Sequence, residues 1–83
     1  MRILYFAWVR GKIGKGSETL AVPANVNTVA ALVEWLKSRG PGYAAAFANS
    51  GVIRAAVNQR LAQQGDPVGP GDEVAFFPPL TGG

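Results

Sequence analysis

A chain of 83 residues, 48% apolar and 16% charged, has the balance of one small folded domain and not of a disordered segment. It holds no cysteine and no histidine. That excludes disulfides, thiolate metal sites, a cysteine nucleophile and the side chain best suited to proton transfer near neutral pH. The net charge is +3, but the eight basic residues are scattered; they read first as solvated surface, next as a complement to an acidic protein partner, and least as a nucleic-acid footprint.

Only five carboxylates are present: Glu18, Glu34, Asp66, Asp72 and Glu73. Asp72 and Glu73 are adjacent, so on a strand they point to opposite faces. No pair is placed for acid–base work, which argues against an autonomous enzyme. No run approaches the roughly 20 apolar residues of a membrane span. The N-terminus lacks the basic, apolar and small-residue order of a signal peptide. Together these set the expectation of a cytoplasmic protein without a membrane partner.

Residues 2–9 are nearly all apolar, aromatic or branched and predict a first strand. Gly11, Gly14 and Gly16 mark a turn, so the basic run from Arg10 to Lys15 reads as a hairpin loop. Residues 18–22 alternate, with Leu20 and Val22 on one side, and predict a second strand that Pro23 ends. Residues 28–39 form the one strong helical pattern. Asn27 or Thr28 supplies the N-cap, and Val29, Leu32, Val33 and Leu36 give one apolar stripe. Gly40 is expected at the left-handed C′ position, with Pro41 preventing continuation. Residues 44–47 suggest a short helical turn.

Residues 52–58 predict a third strand, Asn58-Gln59 a tight turn, and the stretch around Leu61 a short fourth strand. Glycine–proline clusters at 65–72 lead to a last strand over 73–77. The order strand, strand, helix, strand, short strand, strand predicts an α+β fold: one helix laid on one face of a mixed sheet, in the β-grasp arrangement. The domain is expected over residues 1–77.

Residues 78–83 then form a tail. Pro78 and Pro79 cannot donate ladder hydrogen bonds, so they stop the strand and hold the chain extended. Six extended residues reach roughly 20 Å. Gly82 and Gly83 lack Cβ atoms, so they suit passage through a channel too narrow for other residues and leave the α-carboxylate unhindered. Termini often fray without purpose, so the tail alone decides nothing.

Gly71-Asp72-Glu73-Val74-Ala75-Phe76-Phe77-Pro78-Pro79-Leu80-Thr81-Gly82-Gly83 closely resembles the C-terminus of molybdopterin synthase small subunits. Phe6-Ala7-Trp8-Val9-Arg10 and Ala55-Ala56-Val57-Asn58-Gln59 agree in support. The resemblance implies a ubiquitin-like β-grasp fold. It implies that an E1-like adenylating enzyme activates the Gly83 carboxylate with ATP, and that a sulfur donor such as a cysteine desulfurase or rhodanese-type protein converts it to a thiocarboxylate. The tail, Pro78 to Gly82, then enters the large synthase subunit, which holds the active site, and delivers sulfur to cyclic pyranopterin monophosphate. The assembly implied is a heterotetramer, and no resident cofactor is expected. The resemblance also places Phe6, Leu61 and Phe77 at the large-subunit contact, with Arg10 pairing with a partner carboxylate.

Strand parity offers an independent pointer to that surface. If Ile3 and Tyr5 face the helix, then Leu4, Phe6 and Trp8 face away; if Val74 and Phe76 face the core, Phe77 faces away. The competing reading is a second small core under the loops. Trp35, beside the helix stripe, is expected at the core edge. Three rival functions are a thiamine-type sulfur carrier, a ubiquitin-like modifier joined to lysines, and a basic nucleic-acid module. The last lacks clustered cations beside exposed aromatics.

Overall fold

The computed structural model describes residues 1–79; Leu80, Thr81, Gly82 and Gly83 lie outside it. In chain order the elements are β1 (Arg2–Tyr5), α1 (Ala7–Ile13), β2 (Ser17–Thr19), α2 (Val29–Lys37), α3 (Pro41–Ala46), a 3₁₀ turn (Ser50–Val52), β3 (Arg54–Val57), β4 (Arg60–Ala62) and β5 (Glu73–Phe77). The five strands form one sheet in the order β2-β1-β5-β3-β4. Only the central β1–β5 pair is parallel; β1–β2, β3–β5 and β3–β4 are antiparallel. With helices packed on one face, this is the ubiquitin-like β-grasp architecture.

The core forms where the inward-facing residues of the sheet meet the apolar stripe of α2. Ile3, Tyr5, Ala55, Val74 and Phe76 from the strands pack against Val29, Leu32, Val33 and Leu36, closed by Val9, Ala46, Phe47 and Val68. Phe47 and Phe76 meet edge to face at 5.1 Å between centroids, and Tyr5 stacks on Phe76 at 6.5 Å. Each fully buried side chain of this size contributes about 1.5–3 kcal/mol. The Thr28 hydroxyl caps α2 by accepting from the Ala31 N–H at 3.1 Å.

Three local expectations are corrected. The first strand ends at Tyr5, and residues 7–13 form α1 in place of strand and hairpin loop. The apolar residues at 7–9 fit both periods; burial of Val9 and packing of Ile13, one helical turn apart, decide for the helix. Gly14, at φ 91°, caps α1 by donating to the Arg10 carbonyl at 2.8 Å. The second strand pairs with β1 only over 17–19. The Met1 ammonium and the Leu20 N–H close that end, donating to the Leu20 and Met1 carbonyls. Finally, Gly40 is extended, not left-handed. Helix α2 ends on Ser38, and Pro41 begins α3, where its missing N–H costs no hydrogen bond.

Candidate functional site

The side of the sheet opposite the helices has a readable floor. Register places Leu4 beside Ala75, Ala75 beside Ala56, and Ala56 beside Leu61, one row crossing four strands. The next row carries Phe77 beside Arg54. Phe6 joins it from the far side, because its N–H donates to the Phe76 carbonyl at 3.1 Å. Small alanines in the middle and large side chains around them make a shallow apolar face. Leu61 is 78% exposed and Phe6 48%. At the opposite end of the face Arg2 pairs with Glu73 at 3.8 Å.

Pro78 and Pro79 follow Phe77 directly, so the tail departs from this face. Pro79, Phe77, Leu61, Ala62, Gln63 and Arg54 line a groove at the point of departure. The strand phase inferred from parity therefore holds: Ile3, Tyr5, Val74 and Phe76 are buried, and Leu4, Phe6 and Phe77 face the other way. Phe6 and Phe77 lie on an uncovered face and not in a second core.

Trp8 differs from its expectation. It is 41% exposed, but it stands on the first turn of α1, not on a strand. Ala7 before it takes φ 54°, which swings the chain from sheet to helix. A non-glycine residue there costs about 1–2 kcal/mol. Arg10 is exposed and its guanidinium lies over Gly16, whose added Cβ would sit 3.3 Å from it. Trp35 is half-buried at the core edge, as expected, under the Arg39 guanidinium at 5.2 Å. Gly82 and Gly83, with Leu80 and Thr81, are outside the described residues.

The sequence reading missed a polar cluster on the helix side. Glu18 Oε2 accepts from the Tyr5 hydroxyl at 2.7 Å and the Tyr43 hydroxyl at 2.6 Å. Its Oε1 lies 3.4 Å from Lys15 and 3.9 Å from Arg39. Burial disfavours ionisation of Glu18, but the two hydroxyls and Lys15 outweigh it and hold the carboxyl below its ordinary value. Burial, then the bond to Glu18 and its charge, push the Tyr5 phenol well above the tyrosine range. This carboxylate joins β1, β2 and α3. Among the described residues no group of three acidic, histidine or cysteine side chains is placed to hold a metal. No helix of the described residues is long and apolar enough to cross a membrane.

The fold defines a ubiquitin-like domain with an uncovered apolar sheet face beside Pro78 and Pro79. Residues 3–83 match the ThiS family model, and the chain belongs to that family. It is 41% identical to a molybdopterin synthase sulfur carrier subunit of Escherichia coli, across 100% of this chain and 99% of that one. A human protein of the same name is 35% identical across 100% and 93%. Among solved structures, SAMP1 of Haloferax volcanii superposes with a TM-score of 0.75 at 25% identity, covering 100% and 98%. A putative molybdopterin converting factor subunit 1 of Pyrococcus furiosus gives 0.75 at 26%, covering 95% of each.

Proposed function

We propose that this chain is the sulfur-carrier subunit of molybdopterin synthase and acts through its Gly83 carboxylate. The observation that carries the reading is the continuity of the uncovered apolar face with the start of the tail at Pro78-Pro79, in a fold whose relatives bear that name. The body is a handle: a partner grips the Phe6, Phe77 and Leu61 face, and the tail is thereby aimed into the partner's interior.

The chemistry follows from the carboxylate. It is a poor electrophile until an E1-like enzyme transfers AMP to it from ATP and releases pyrophosphate. A hydrosulfide equivalent from a donor protein then attacks the acyl carbon, AMP leaves, and a thiocarboxylate results. Inside the large subunit that group gives its sulfur to cyclic pyranopterin monophosphate. Water returns the terminus to a carboxylate, and two such donations complete a dithiolene. The chain's own residues supply no acid or base to these steps. They position the terminus and, with neither cysteine nor histidine present, offer it no competing thiolate or imidazole.

The names of the relatives at 35–41% identity favour this pathway over a thiamine-type one. Likeness to small archaeal modifier protein 1 supports keeping lysine conjugation as the second reading. The test is intact-mass spectrometry after incubation with the activating enzyme, ATP and a sulfur source. The carrier reading expects a gain equal to replacing one oxygen by sulfur, lost when Gly83 is deleted. Isopeptide conjugates without that gain would favour the modifier.

A further inference from the structure

We infer that Arg54 is a partner-selecting cation, and that the large subunit places a carboxylate against it when it covers the sheet face. This rests on the proposed function. Arg54 stands on the uncovered face directly beside Phe77, with Leu61 and Pro79 lining the same groove. It is the only charged residue lining that groove among the described residues. The contrast with Arg2 is informative. Arg2 lies on the same face at its other end and is paired within the chain to Glu73 at 3.8 Å. Arg54 has no ion pair or side-chain hydrogen bond among the described residues.

An unpaired cation in the open costs nothing, but covering the apolar face removes its water. A guanidinium desolvated without an opposite charge is strongly destabilising, whereas one met by a carboxylate can form two parallel charge-assisted bonds. The groove residues offer no acid of their own, so the partner must bring it. The pair would sit where the tail departs, so it would reject partners with a neutral or basic surface there and fix the tail's direction.

The experiment measures binding of this chain to the large synthase subunit of the same organism by calorimetry. Wild type, Arg54→Glu, Arg54→Met and Arg54→Lys are compared, with thermal melts confirming that each folds. The expected result is at least ~30-fold weaker binding for Arg54→Glu, weaker binding for Arg54→Met through the orphaned carboxylate, and partial recovery for Arg54→Lys. Reversing one acidic residue of the large subunit to lysine restores Arg54→Glu. Binding of Arg54→Glu within ~3-fold of wild type, or tighter binding of Arg54→Met, overturns the inference. Failure of the wild type itself to bind, together with no thiocarboxylate mass gain, overturns the proposed function and this inference with it.

Discussion

Tyr5→Phe separates the two halves of the Glu18 cluster. The change deletes one hydroxyl and leaves the ring that stacks on Phe76. The lost bond is 2.7 Å long, reaches a charged acceptor and is formed by a buried residue. Such bonds contribute about 1.5–3 kcal/mol. Tyr43 still serves the same carboxylate oxygen, so the expected loss at pH 7 is about 1–2 kcal/mol. The alkaline limb is more telling. Burial and Glu18 raise the Tyr5 pKa in the folded state, while the unfolded phenol titrates near 10. Above that pH the unfolded chain has released a proton that the folded chain keeps. Wild-type stability from this group is thus full below about pH 10 and falls by about 1.4 kcal/mol per pH unit above it. Tyr5→Phe lacks this loss. In urea titrations followed by tryptophan fluorescence at pH 7, 10.5 and 11.5, the gap between the two proteins should close and then reverse. Parallel alkaline limbs would refute the argument, because they would mean that Tyr5 ionises as readily folded as unfolded.

Other outcomes follow from the same geometry. Glu18 is depressed, so its contribution is present above the ordinary carboxylate value and lost as pH falls through the folded one; Glu18→Gln should flatten the acid limb of the stability curve. Gly42→Ala would set a Cβ 2.8 Å from the Lys12 carbonyl, prise α3 from α1, and cost about 1–3 kcal/mol in thermal denaturation. Gln59 sits at φ 70° after Asn58 at 51°; Gln59→Gly relieves that strain and should raise stability by about 0.5–1 kcal/mol. Leu61→Glu, on a side chain 78% exposed, should leave the melting point within about 0.5 kcal/mol of wild type. In a binding assay the same variant should weaken large-subunit docking about tenfold or more.

The elements with a single available period were legible in advance. The α2 stripe and the alternation of β5 each fit one structure only, while the α2 cap was open between Asn27 and Thr28 until the hydroxyl bond from Ala31 decided for Thr28. Residues 7–13 were not legible, since Ala7-Trp8-Val9 continues the apolar run of β1 while Arg10, Gly11 and Lys12 read as a loop, until tertiary packing of Val9 and Ile13 decides for a helix. Gly14 in the left-handed conformation was the available signal, read as a loop glycine instead of a helix cap. The uncovered face was legible because side-chain alternation is strict, so that fixing Ile3 inward placed Leu4 outward and fixing Val74 inward placed Phe77 outward. The Glu18 cluster was not, because its members come from positions 5, 15, 18, 39 and 43 with no local pattern to join them.

The parallel pairing of β1 with β5 has a consequence for biosynthesis. These neighbours at the centre of the sheet are the first and last strands, with Ile3 registered on Val74. Closing so long a loop delays the decisive contact until nearly the whole chain is available. A nascent or prematurely terminated chain therefore lacks the middle of its sheet and the Ala75 and Phe77 part of its uncovered face. Folding thereby acts as a checkpoint on length: only a chain synthesised through Phe77 displays the surface by which the tail would be recognised.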